Sequence, residues 1–173
     1  SWINWIIEQD PDAQIVLHGV SMGAATVMMT SGETLPENVK VFVEDCGYTS
    51  TWEIFANELK LRFNLPEFPL MQTANMIASS KAGYDFKEAS SLTAVSKCER
   101  PMLFIHGTAD DFIPYSMMNE LYEAKPGTNK QMLTAKGATH ANSLYLLGES
   151  YWDTVFDFIN KYKDDTDELR QAQ

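Results

Sequence analysis

The sequence predicts an α/β domain built on a mostly parallel sheet of about four strands. Four short segments rich in β-branched or apolar residues, Gln14–His18, Val39–Glu44, Pro101–His106 and Lys130–Ala135, alternate with stretches of helical periodicity. That alternation marks βα units, whose strands are covered on both faces and therefore read as near-continuous apolar runs. Turn formers stand between the segments, at Pro11-Asp12, Leu35-Pro36, Pro126-Gly127 and Gly137-Ala138.

Taken in order, Trp2–Gln9 is the first predicted helix, with Trp2, Ile3, Trp5, Ile6 and Ile7 as apolar positions. Met22–Ser31 follows the first strand, and Ser116–Ala124 and Ser150–Tyr162 follow the third and fourth. The last of these aligns Trp152, Val155, Phe156 and Ile159 on one face. A long insertion, about residues 47–100, separates the second strand from the third. It opens on Ser50-Thr51-Trp52-Glu53, the pattern of a capping box. Its apolar residues Phe55, Leu59, Phe63, Leu65, Phe68, Leu70, Met71, Met76 and Ile77 are expected to divide between sheet-packing core, in the majority, and a helical lid over a pocket. The run from Lys163 to Glu168 reads as a solvated tail.

Composition narrows the function. With 24 acidic against 13 Lys and Arg residues the formal net charge is −11, which repels a phosphate backbone and leaves no basic patch for nucleic acid or anionic lipid. The apolar runs are too short to span a bilayer and no signal peptide precedes them, so the chain is expected to be soluble, its compartment open. Cys46 and Cys98 have neither a C-x-x-C nor a zinc-ligand spacing and read as small core or strand-end residues. The chain opens without Met inside an apolar helical face, so a preceding segment is expected to have been removed.

The stretch carrying chemistry is Gly19-Val20-Ser21-Met22-Gly23, a G-x-S-x-G between a predicted strand and a predicted helix. Glycines on either side let strand and helix backbones approach, while the turn pushes the Ser21 hydroxyl out above the sheet. The Met22 N–H, at the positive end of the helix, then points toward a developing oxyanion. A serine hydroxyl needs a base to take its proton and an acid to hold that base in one tautomer. Of the three histidines, His18 and His106 lie at strand ends and read as structural; His140, in a turn-like segment after the fourth strand, is the candidate base. Asp110 and Asp111, just past the end of the third strand, are the candidate acids, in the region where open α/β sheets gather their ligands.

Together these motifs resemble the α/β-hydrolase family of serine hydrolases, particularly its bacterial prolyl-oligopeptidase-like and esterase-like branch. The run His106-Gly107-Thr108-Ala109-Asp110-Asp111-Phe112-Ile113-Pro114 matches the family's H-G-x-x-D-x-x-V/I-P, and the resemblance covers nearly the whole chain in the order Ser, Asp, His. By resemblance the acid is Asp110; some relatives place theirs where Asp45 stands. The resemblance further implies a partial α/β-hydrolase fold, residues 1–173 being the C-terminal part of one domain with roughly the last four of about eight strands. The implied activity is cleavage of a carboxylic ester or amide by Ser21, His140 and Asp110 through an acyl-enzyme, with no metal or organic cofactor. An acyltransferase or a peptidase would use the same triad. The family's second oxyanion donor comes from a loop outside this chain, and losing one such donor costs about 10²–10³ in kcat, so the chain alone is expected to turn over poorly or to serve as a ligand-binding fragment. Its first strand is left with one unpaired edge. The expected partner is a second copy through that edge, or the N-terminal half of the same domain.

Overall fold

The structure is a computed structural model and describes residues 1–163; the acidic run beyond Lys163 lies outside the described residues. Strands β1 (Ile15–Val20), β2 (Val39–Asp45), β3 (Met102–Gly107) and β4 (Lys130–Ala135) form one parallel sheet in the order β1-β2-β3-β4. Each connection is a crossover. The helices are α1 (Trp2–Gln9), α2 (Met22–Ser31), α3 (Thr51–Phe63), α4 (Leu70–Ala82), α5 (Ser91–Val95), α6 (Tyr115–Ala124), α7 (Ser143–Leu147) and α8 (Glu149–Lys163).

Both faces of the central strands are buried, and side chains alternate between them with the strand period of two. Phe42, Met102 and Phe104 meet Met28 of α2, Val95 of α5 and Met118 and Leu121 of α6 on one face. Val41, Val43, Leu103 and Ile105 meet Tyr151, Val155 and Phe158 of α8 on the other. The seven strand side chains on these two faces are drawn from the apolar runs that define β2 and β3.

Two expectations need correction. Most of the insertion's apolar residues were expected to pack on the sheet, yet of the nine only Met71 is buried, and Leu59 is partly so. The short α5 covers the sheet instead, through Val95, while α3, α4 and the segment between them turn Phe63, Phe68, Met76 and Ile77 outward. The helix α3 does start at the expected capping box, with Ser50 Oγ accepting from the Glu53 N–H at 3.1 Å. Second, the apolar helical face expected at the start of the chain divides between core and surface. Ile3, Ile6 and Ile7 pack against the core, leaving Trp2 and Trp5 outside, 79% and 53% exposed. The period of 3.6 residues puts the three isoleucines on one stripe and the tryptophans on its flank.

In a parallel sheet every strand ends on the same side. Ser21, Asp45, Asp110 and His140 follow β1, β2, β3 and β4, so the topology brings residues far apart in sequence to one rim.

Candidate active site

Ser21 occupies the sharp turn between β1 and α2, with φ 56° and ψ −118°. This is a conformation that non-glycine residues seldom adopt. It is held by the Ser21 N–H donating to the Asp45 carbonyl at 2.8 Å, which ties the turn to the end of β2. Gly19 is required here: a Cβ would lie 2.3 Å from the Gly23 carbonyl oxygen and 2.7 Å from the Ala24 nitrogen. Gly23 differs from the expectation, because a Cβ there would meet nothing within 4 Å. The strand and helix close on Gly19 alone. Met22 is the first residue of α2, so its N–H has no carbonyl one turn back to receive it.

Ser21 Oγ lies 2.8 Å from His140 Nε2. His140 Nδ1 lies 2.9 Å from Asp110 Oδ2, and Asp110 is fully buried whereas the imidazole is 23% exposed. Since a carboxylate only accepts, Nδ1 carries the proton and Nε2 presents its lone pair to the serine. The other oxygen, Asp110 Oδ1, accepts from the Phe112 and Ile113 N–H groups at 2.9 Å each. Burial alone would raise the Asp110 pKa, but hydrogen bonds from His106, His140, Ile113 and Phe112 outweigh it and hold the carboxyl down to about 2.

Two loops are locked together to make this contact. The Ala109 N–H donates to the Ala138 carbonyl at 3.0 Å, and the Gly137 N–H donates to Thr108 Oγ1 at 2.8 Å. A Cβ on Gly107 would lie 2.2 Å from the Ala138 oxygen, so this close approach of the β3 and β4 ends requires glycine. The Phe112 ring meets the His140 imidazole edge-on, centroids 4.9 Å apart, and the Arg62 guanidinium of α3 lies over the Phe112 ring.

The other candidate acids are placed elsewhere. Asp111 is exposed. Asp45 is buried, and its Oδ1 accepts from Ser143 Oγ at 3.0 Å; the nearby Tyr151 hydroxyl lies 3.0 Å from His18 Nε2. His18, on the exposed part of β1, is thus joined to α8 through Tyr151, and partial burial of its ring lowers its pKa. Cys98 is buried against the core. Cys46 is buried behind the site, where burial, and then the charge of Asp45, push its thiol up to about 12, so it stays a neutral thiol. One ligand atom each of Cys46, Asp110 and His140 falls within 4.8 Å of the others. A metal ion there would have to displace the proton shared by His140 and Asp110 and ionise that thiol.

Sequence reasoning passed over His106 as merely structural. Its Nε2 lies 3.0 Å from the Ile113 carbonyl and 3.2 Å from Asp110 Oδ2. The signal is its place four residues before Asp110 in H-G-x-x-D, which the strand end folds back on itself.

Residues 3–166 match the prolyl oligopeptidase family. The chain belongs to that family. It is 34% identical over 153 residues to the uncharacterized protein YqkD of Bacillus subtilis, covering 88% of this chain and 50% of that protein. It is 24% identical over 147 residues to the uncharacterized membrane protein YNL320W of Saccharomyces cerevisiae, covering 84% and 45%. The chain therefore spans about half the length of the curated relatives it matches. Among solved structures, the esterase Pf2001 of Pyrococcus furiosus superposes with a TM-score of 0.68 at 19% identity, over 94% of this chain and 60% of that one. The acylaminoacyl peptidase of Pyrococcus horikoshii gives 0.66 at 16% identity, over 91% and 26%. These likenesses show the α/β-hydrolase fold, of which this chain holds part. Among the described residues no helix is long and apolar enough to cross a membrane.

Proposed function

We propose that this family member is a serine hydrolase that cleaves a carboxylic ester or amide through an acyl-enzyme. The observation that carries the reading is the unbroken hydrogen-bonded chain Ser21–His140–Asp110, at 2.8 and 2.9 Å, with the base already in the tautomer its task requires. Ser21 Oγ attacks the carbonyl carbon as His140 Nε2 takes its proton. Asp110, fixed by its four donors, stabilises the imidazolium that forms. The Met22 N–H, at the start of α2, faces the developing oxyanion. His140 then returns the proton to the leaving group, and water repeats the sequence to release the acid.

An ester is favoured as substrate by the exposed apolar side chains of α3 and α4, which we read as a lid suited to acyl chains. A peptidase or an acyltransferase would use the same three residues, differing in the leaving group or the acceptor. The decisive test is covalent labelling by a fluorophosphonate in this chain and in the full-length protein. Labelling lost in Ser21→Ala and His140→Ala is expected, with hydrolysis of p-nitrophenyl esters exceeding that of aminoacyl p-nitroanilides. Labelling that survives Ser21→Ala would overturn the reading. Label on the full-length protein without label on this chain would assign the shorter chain a binding role only, as an incomplete oxyanion site predicts.

A further inference from the structure

His106 is fully buried, on β3, and its orientation is determined by its neighbours. The Ile113 carbonyl, 3.0 Å from Nε2, can only accept, so Nε2 carries a proton. Nε2, its N–H directed at that carbonyl, also lies 3.2 Å from Asp110 Oδ2, the oxygen that receives His140 Nδ1–H. Asp110 therefore sits between two imidazoles on one oxygen and two backbone N–H groups on the other. The Ile113 peptide closes the ring, donating through nitrogen to Asp110 and accepting through oxygen from His106.

The second nitrogen, His106 Nδ1, and the outer oxygen of Glu44, Oε1, are both buried without a hydrogen-bond partner. Glu44 on β2 and His106 on β3 belong to adjacent strands, in the register that puts Phe42, Glu44, Phe104 and His106 on one face. The inner oxygen of Glu44 accepts from the Gly47 N–H at 2.9 Å. Burial alone would lower the His106 pKa, but Asp110, Glu44 and the Ile113 carbonyl outweigh it and raise it. A fully buried carboxyl with one backbone donor is held largely by keeping its proton, and burial raises the Glu44 pKa to about 8.

We propose that His106 is a positioning residue of this site, its buried imidazole held by the Ile113 carbonyl against Asp110 Oδ2 and so fixing the Asp110 carboxylate for His140. The proposal rests on the hydrolase reading above. It extends the chain of three to a chain of four, Ser21–His140–Asp110–His106, with His106 acting only through Asp110.

The test uses the full-length protein, with p-nitrophenyl ester kinetics and the low-field proton resonance of His140 Nδ1–H. His106→Leu removes the donor and is expected to lower kcat about 10- to 100-fold with KM nearly unchanged, the range typical when a supporting hydrogen bond is lost, and to move the resonance. His106→Gln, whose amide nitrogen reaches the place of Nε2, is expected to recover most of the rate; His106→Asn, whose nitrogen reaches only the place of Nδ1, is not. Equal rates for His106→Gln and His106→Asn, with an unmoved resonance, would overturn the positioning role even if His106→Leu does not fold. Asp110→Asn run beside them separates the cases: if it too is fully active, the hydrolase reading has failed, whereas an inactive Asp110→Asn with an unaffected His106→Leu defeats this inference alone.

Discussion

Ser143 donates its hydroxyl to Asp45 at 3.0 Å, both groups buried, and that bond settles what the carboxylate after β2 can do. With Ser143 on its Oδ1, Asp45 fastens the start of α7 under the sheet, while His140 meets Asp110 instead. The bond also ties the start of α7, a few residues after His140, to the end of β2, whose Asp45 carbonyl holds the Ser21 turn.

The two carboxylates are therefore expected to respond differently to the same substitution. Asp110→Asn should reduce kcat of the full-length protein by about 10⁴, because an amide cannot hold the required tautomer of His140. Asp45→Asn should leave kcat within a few-fold and lower stability by about 1–3 kcal/mol, the cost of a poorly satisfied buried polar group. Thermal melts and ester kinetics on both variants, with Asp111→Asn as the exposed control, check this. A larger loss of activity at Asp45 than at Asp110 would reverse the assignment.

The glycines of the Ser21 turn should also separate. Gly19→Ala drives a methyl to 2.3 Å from backbone and should cost about 1–3 kcal/mol or more, or displace the turn. Gly23→Ala meets open space within this chain and replaces a helical glycine, so it should be neutral or stabilising by up to about 1 kcal/mol. Urea titrations of the two variants against the parent chain measure the difference. Equal destabilisation would show that Gly23 packs against something the present chain does not include.

Glu44 makes a pH prediction with a definite sign. Its folded pKa, about 8, stands above the ordinary value of 4.5, burial being the main cause, partly offset by the Gly47 N–H and His106 and reinforced by Asp45. The folded state thus keeps a proton that the unfolded state has already released, and the associated stability is full below the unfolded value and is lost as pH rises through about 8. Glu44→Gln carries no such proton. The melting temperature of the variant relative to the parent is expected to increase between about pH 5 and about pH 9; a constant difference across that range would contradict a protonated Glu44.

The outer edge of β1 leads to a prediction about association. It lies at the margin of the sheet, where Val20 is exposed, and the chain also exposes Trp2 and Trp5 of α1. An open edge with apolar flanks is a template for another strand, each Å² of apolar area covered stabilising contact by about 25 cal/mol before ordering costs. We expect this chain to self-associate through β1, or to bind the preceding half of the domain when the two are co-expressed. Light scattering at micromolar concentration with amide exchange over Ile15–Val20 is the check. A monomer whose β1 amides exchange rapidly under both conditions would rule out both forms.

Much of the fold was legible in the sequence because its signals are local. The four strands, α1 and α2 appear within a residue or two of where the apolar runs and turn residues put them, since period and capping are set by neighbours a few positions apart. The G-x-S-x-G turn is likewise a short-range device, and the strained φ of Ser21 follows from the close passage of β1 and α2 at Gly19. In the insertion, composition showed apolar residues but not their direction. Whether Phe63 or Val95 faces the sheet depends on where α3, α4 and α5 lie in space.

What the sequence by itself determined is the order and type of the elements, and so the rim on which Ser21, Asp110 and His140 had to end, because parallel strands finish on one side. Which side chains touch on that rim was decided by the tertiary structure. The contacts from Ser21 to His140 and from His140 to Asp110 span 119 and 30 residues, and they depend on the register of neighbouring strands and on the tight approach of Gly107 to Ala138. The same long-range packing withdrew Asp45 to Ser143, left Gly23 without a neighbour, and brought His106 against Asp110. Hydrogen bonds are set over a few tenths of an ångström, a precision that spacing along a chain does not carry and that only packed elements supply.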